Sequence, residues 1–248
     1  MASIRSQTVR TIHQQYAPVY SIGAGLTLIL IGVWIGSLLF RTGYFTNVYT
    51  EALSVIATIA VLDRLSDWRE ERRLKLRLQR EATSRDNSTA LNAVDWLRAE
   101  NWLTLDDGEK LLQGQKLARA NLEDAYLYQG DLDGCNLYRA NFKNADISQA
   151  SLCDAFLNRA NLAGVSAYGT DFRGAVLWDA NLRNMRHIQT AIFDETTVLP
   201  DARPFRDEQG NILYDEQNRV LFNYYWTPGT DMTRFTNPDH QDFWYVDE

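Results

Sequence analysis

The sequence is poor in the residues that catalysis and metal binding usually require. In 248 residues it has two cysteines, Cys135 and Cys153, and three histidines, His13, His187 and His240. The histidines are too widely spaced to suggest a metal cluster, and neither a Cys-x-x-Cys nor a His-Glu-x-x-His motif is present. A Gly-rich phosphate loop and a serine nucleophile elbow are also missing. The expectation is therefore a non-enzyme with no catalytic residue, no metal and no cofactor. Proline is absent between Pro18 and Pro200, which makes those two prolines natural boundary marks. A basic excess is lacking too. Residues 1–111 carry 12 acids and 13 bases, residues 112–192 carry 8 of each, and residues 193–248 carry 12 acids and 4 bases. The net charge of -7 thus resides in the C-terminal part.

What the sequence does have is a period. From Leu112 to Ile192 a large apolar residue returns at every fifth position: Leu112, Leu117, Leu122, Leu127, Leu132, Leu137, Phe142, Ile147, Leu152, Leu157 and Leu162, then Ala167, Phe172, Leu177, Leu182, His187 and Ile192. Two residues before most centres stands a small one, such as Ala120, Ala125, Gly130, Cys135, Ala140 or Ala160, and Asn or Asp often stands between. A helix repeats at 3.6 and a strand at 2, so a period of five is neither, and it reads as an internal repeat.

Units such as Ala120-Asn121-Leu122, Ala140-Asn141-Phe142, Ala160-Asn161-Leu162 and Ala180-Asn181-Leu182 resemble the pentapeptide-repeat family. The resemblance implies a right-handed, quadrilateral β-helix in which four repeats make one coil of twenty residues, stacked at about 4.8 Å. Folded by twenty, one side collects Leu117, Leu137, Leu157 and Leu177, and the next Leu122, Phe142, Leu162 and Leu182. A third collects Leu112, Leu132, Leu152, Phe172 and Ile192, and the fourth Leu127, Ile147, Ala167 and His187. On the fourth side the small positions grow from Ala125 and Ala145 to Val165 and Met185, as though refilling volume lost at the centre. Asn121, Asn141, Asn161 and Asn181 should form a ladder, with Arg119, Arg139 and Arg159 in a column beside it. In this register Cys135 points inward and Cys153 outward on a different side, which argues against a disulfide.

Upstream, Val19 to Phe40 is a run of 22 residues without charge or proline, long enough to cross a ~30 Å hydrocarbon layer. It is too long for a typical secretory signal, and no Ala-x-Ala cleavage site follows. Gly25, Gly32 and Gly36 fall near one face and are candidates for helix–helix packing. A second apolar run, about 44–62, carries only Glu51 and would complete a transmembrane hairpin through the turn Arg41-Thr42-Gly43. The arginine-rich flank that follows, with Arg5 and Arg10 at the other end, places both ends on the cytoplasmic side. Asp63 to Ala82 reads as a helix continuing from there, its basic residues either holding anionic headgroups or forming a solvated or self-associating face. A second amphipathic helix, roughly Thr89 to Asn101, should cover the first coil.

Downstream, Phe193 to Asp201 resembles the closing segment seen after the last coil in many members of the family. Ile212–Tyr214 and Val220–Tyr225 alternate around a turn and suggest a β-hairpin, and the dense aromatics of the tail should dock on the solenoid end or on a partner. The expected organisation is a cytoplasmic segment 1–18, a transmembrane hairpin 19–62, juxtamembrane and capping helices 63–108, the β-helix with its cap 109–199, and an acidic, aromatic tail 200–248.

Tyr138, Phe156, Val176 and Trp178 flank the Leu137–Leu157–Leu177 side on its outside, where polar residues are the rule, and are candidates for contact with a protein partner or with the tail. His187, placed inward, is either a ligand contact or the sign of a coil loosening toward its cap. The leading expectation is a scaffold at the bilayer, in a bacterial inner membrane, presenting a cytoplasmic β-helix to another protein. An alternative is a membrane-active effector or channel-like homo-oligomer associating through the transmembrane helices. A weaker one is DNA mimicry toward gyrase, which resembles acidic members of the family, but 8 acids against 8 bases in the repeat oppose it. The same balance opposes nucleic-acid binding.

Overall fold

The computed structural model describes residues 43–104, 109–216 and 218–244. Val19–Phe40, with Gly25, Gly32 and Gly36, lies outside them. The chain divides into two units, Met1–Glu70 and Glu71–Glu248.

Helix α1 spans Gly43–Ala82. Beyond Gly43 it contains no glycine or proline, which leaves nothing to break it until the polar turn at Thr83 and Ser84, whose amides bond back to Arg80 and Glu81. Among the described residues no helix is long and apolar enough to cross a membrane. The expected second span, about 44–62, falls within α1, where Asn47, Thr50, Glu51, Ser54 and Thr58 dilute the apolar residues. Helix α2 spans Asn87–Ala99 and is capped by Asp86, whose carboxylate accepts the Thr89 amide at 2.8 Å. The buried Ala90, Ala93, Val94 and Leu97 belong to the same core cluster as the first coil of the solenoid.

Each side of the solenoid is built in the same way. The central residue points inward and its amide donates to the coil above, as Leu137 does to Phe156 O and Leu157 to Val176 O, both at 2.9 Å. The next small residue turns back on the centre, Ala140 N–H to Leu137 O at 3.0 Å, closing a corner. The residue before each corner takes positive φ, which glycine, Asn and Asp tolerate and which Arg119, Arg139 and Arg159 also adopt here. At Gly164 the conformation has a steric reason as well, since a Cβ would stand 2.6 Å from Asn144 Oδ1 of the coil below.

Parallel bridges link residues twenty apart, among them Asn121 to Asn141, Asn136 to Phe156 and Asn161 to Asn181. Leu117, Leu137, Leu157 and Leu177 pile up fully buried, as do Leu122, Phe142, Leu162 and Leu182. Ala167 is buried with Val165 and Met185 beside it, so the enlarged small positions do fill that side. The asparagine ladder forms: Asn141 Nδ2 donates to Asn121 Oδ1 at 2.9 Å, Asn161 to Asn141 at 3.0 Å and Asn181 to Asn161 at 3.2 Å. Its lower end is tied to the cap by Asn87 Nδ2, which donates to Glu123 O at 2.8 Å.

The register is not unbroken to Ile192. His187 is exposed, with φ 62°, and starts a short 3-10 turn, Ile188–Thr190, that puts Ile188 into the core instead. Asp171 then bridges Ile192, an offset of 21 residues, so Ile192 is 47% exposed and Phe193 takes the inward place, stacked on Phe172 at 5.5 Å. A further residue is inserted before Val198, which bridges Val176 and leaves Leu199 buried above Leu177. Imidazole is a poor occupant for a dry column, and moving the chain by one residue replaces it with an aliphatic side chain.

Asp194 fixes this insertion. Its Oδ1 accepts the Gly174 amide at 3.0 Å, the Thr196 amide at 3.0 Å and the Thr196 hydroxyl at 2.7 Å. The tail then folds over the end, with Trp226 stacked on Phe193 at 6.1 Å, Phe235 and Met232 in the core cluster, and Asn184 N–H donating to Thr236 O at 2.7 Å. Antiparallel bridges join Pro204 to Phe222, Arg206 to Ile212 and Tyr214 to Val220, so the expected hairpin gains a third segment, 204–206.

Leu157→Asp should unfold the solenoid, because an unpaired carboxylate in the column costs more than about 3 kcal/mol. Loss of protease resistance and of the cooperative thermal transition is the expected readout, and an unchanged transition contradicts the register. Burial raises the Asp194 carboxyl, but donors from Thr196, Gly174 and Thr197 outweigh it and hold the group below the usual aspartate range. Its contribution is therefore present above the unfolded value of about 3.9 and is lost as pH falls through the folded one. The stability difference between wild type and Asp194→Asn should be constant near neutrality and shrink below about pH 4 in denaturant titrations.

Candidate functional site

The side carrying Leu137, Leu157 and Leu177 shows two columns to the outside. One runs Lys116, Asn136, Phe156, Val176 and Val198 through successive parallel bridges, and the other holds Tyr138 and Trp178. Phe156 is 50% exposed. Tyr138 is half-buried, with the Arg139 guanidinium 5.3 Å from its ring centroid. Val176 and Trp178 meet the tail instead: Trp178 lies 5.9 Å from Phe222, and both pack against the cluster of Val198, Ala202 and Phe222. The four sequence candidates thus divide, two beneath the tail and two on the open face.

The arginine column shares this division. Arg159 sits 5.5 Å from the Trp178 ring and 3.4 Å from Asp179, which also receives Arg203 of the tail at 3.3 Å. Trp178 Nε1 is buried without a hydrogen-bond partner among the described residues. These contacts make a seam that clamps the tail to the last coils, and exposed pairs of this kind contribute modestly.

A second aromatic group escaped sequence reasoning. Tyr126 and Tyr128 flank Leu127 and stack at 6.0 Å, and Arg98 of α2 lies 4.6 Å over the Tyr126 ring. The signal was available, since both tyrosines flank a centre as Tyr138 and Phe156 do, but the partner came from a helix whose docking angle no periodicity gives. On a further side Lys110 pairs with the buried Asp131 at 2.8 Å, and Asp133 Oδ1 accepts the Cys153 amide at 2.9 Å. Asp171 pairs with Arg173 at 2.6 Å; burial opposes ionisation there, but the guanidinium bonds prevail and its carboxyl lies below the usual range.

The two thiols are free. Cys135 occupies a small inward position and donates to Leu112 O at 2.8 Å, and burial pushes its pKa up to about 12. Cys153 is half-buried, and partial burial raises it as well. His187, outside the core, meets Tyr168 edge-on at 6.1 Å. Among the described residues no group of three or more His, Cys, Asp or Glu is placed to hold a metal ion.

Residues 111–144 and 140–179 match the family model for pentapeptide repeats, in eight copies. No curated protein matches the chain. Among solved structures the chain is similar to HetL of Nostoc sp. strain PCC 7120, described as a pentapeptide repeat protein involved in heterocyst differentiation regulation. That likeness has 27% identity over 38% of this chain and 44% of that one, at a TM-score of 0.27. It is also similar to the pentapeptide repeat protein Rfr23 of Cyanothece 51142, with 32% identity over 32% of this chain and 57% of that one, TM-score 0.23. A pentapeptide repeat protein of the Arabidopsis thaliana thylakoid lumen matches at 24% identity over 43% of this chain and 79% of that one, TM-score 0.19. The chain spans less than half the length of the Nostoc protein.

With a small neutral thiol reagent at pH 8, Cys153 of the native protein should react about tenfold or more faster than Cys135, since the thiolate is the nucleophile. Peptide mapping checks this, and labelling of Cys135 should require denaturant. Equal rates in the native state contradict the inward placement.

Proposed function

The chain carries a pentapeptide-repeat domain, and on that premise we propose that it is a non-enzymatic, membrane-anchored scaffold whose right-handed quadrilateral β-helix binds a protein partner. The observation that carries this reading is Phe156, half exposed on a flat, rigid ladder where its column neighbour Asn136 is polar. A flat face with a central aromatic anchor and a polar rim suits protein recognition. Tyr138, held under Arg139, extends the same contact. Val176 and Trp178 serve it indirectly, by fixing the tail that borders the open face.

The bilayer part of the reading comes from composition. Val19–Phe40 is the membrane anchor, and the arginines after Leu62 keep the β-helix on the cytoplasmic side of a bacterial inner membrane.

Phe156→Asp should leave the thermal midpoint nearly unchanged, because the side chain already faces solvent, and weaken partner capture about tenfold or more. The measurement is photo-crosslinking in native membranes from a probe at Asn158, with and without the substitution. Capture that is equal in both removes the proposed face. Trp178→Ala is the comparison variant, expected to loosen the tail.

A further inference from the structure

We propose that the outward face of the last three turns of α1 is an electrostatic contact for an anionic lipid bilayer. From Glu71 to Ala82 the helix has two faces. The inner one carries Leu74, Leu78 and Ala82 against the core, with Gln79 Nε2 donating to Leu111 O at 2.6 Å. Lys75 belongs to the inner side as well. It is bound to Glu71 and Glu109 at 2.6 Å each and lies 4.7 Å from the Trp102 ring centroid.

The outer face presents Arg72, Arg73, Leu76, Arg77 and Arg80, all exposed. Spacings of three and four place Arg73, Leu76, Arg77 and Arg80 on one side of the helix, over about 10 Å of its length. The two acids of this segment stand apart: Glu71 is bound to Lys75, and Glu81 is half-buried. Arg73, Arg77 and Arg80 form no ion pair among the described residues.

The choice of occupant follows from charge and shape. A helix face with four guanidinium groups fits the anionic-lipid pattern, in which each basic residue near the surface contributes about 1 kcal/mol. Leu76, 50% exposed among the arginines, suits the acyl–headgroup boundary and has no use on a phosphate backbone. Nucleic acid would need a wider basic surface, but residues 112–192 are balanced at 8 acids and 8 bases and residues 193–248 carry 12 acids against 4 bases. Because the inner face of the same turns is fixed on the solenoid, binding there would hold the β-helix in one orientation above the headgroups.

The test is flotation of the full chain with vesicles of phosphatidylcholine alone or with about 30% phosphatidylserine, a proportion that gives the negative surface potential required. The expected result is a preference of about tenfold or more for anionic vesicles, falling toward unity as added salt shortens the Debye length to about 3 Å at 1 M. The triple variant Arg73→Gln, Arg77→Gln, Arg80→Gln should lose that preference and keep its binding to neutral vesicles. Replacing the same three residues by lysine should restore it. An anionic preference that survives the glutamine substitutions or high salt overturns the proposal. So does a variant that loses affinity for duplex DNA, or for a second copy of the chain, while vesicle binding is unchanged. If the glutamine variant fails to fold, the lysine variant and the salt series on the native chain decide. Equal binding to both vesicle types leaves the anchor standing and removes the arginine contact, whereas no binding to either removes both.

Discussion

The structure depends on a single constraint, the coincidence of a five-residue corner with a twenty-residue coil. Each inward centre from Leu122 to Leu177 donates its amide to the coil above while its side chain rests on the equivalent residue below, so hydrogen bonding and apolar burial share one repeat. Leu137, Leu157 and Leu177 show both halves, buried in one column and linked upward through Phe156, Val176 and Val198 carbonyls. An added residue would turn the following centres out of the column, much as a register slip does in a sheet. That is why the added residues, one at the turn Ile188–Thr190 and one before Val198, fall where the coil ends and the cap begins.

Both ends of such a stack expose apolar side chains and unpaired backbone, and the chain covers each with a segment of its own. At the start, α2 and Leu103 close the first coil, with Asp131 N–H bonded to Leu103 O and Asn87 joined to the asparagine ladder. At the other end, Phe193 stacks on Phe172 and Trp226 on Phe193, Phe235 and Met232 join the core cluster, and Asp194 holds the inserted turn. With both ends covered, the sides stay open, and there Phe156, 50% exposed, departs from the polar rule.

The columns were legible in the sequence because their period is strict: the four sides, the asparagine ladder and the inward Cys135 could all be read by counting. The end of the count was not. His187 and Ile192 occupied the right numbers and the wrong places, because counting cannot register that an imidazole in a dry column costs more than a one-residue insertion. The candidate site was legible as a set of apolar residues in outward positions. Its division between Phe156 and Trp178 was not, since that depends on where Phe222 lands, some forty residues farther along. Likewise the stacking of Tyr126 on Tyr128 under Arg98 joins a coil to a helix whose docking no local pattern encodes.

Hydrogen exchange of the full chain tests the central claim most directly. If the coils are one stack, amides from Leu117 to Leu182 exchange slowly and together on all four sides, and the 204–222 segments, bonded only to one another and to the rim, exchange sooner. Rapid exchange confined to one side of the square, for example at Leu127, Ile147 and Ala167 while Leu137 and Leu157 stay protected, would contradict a closed coil of twenty residues.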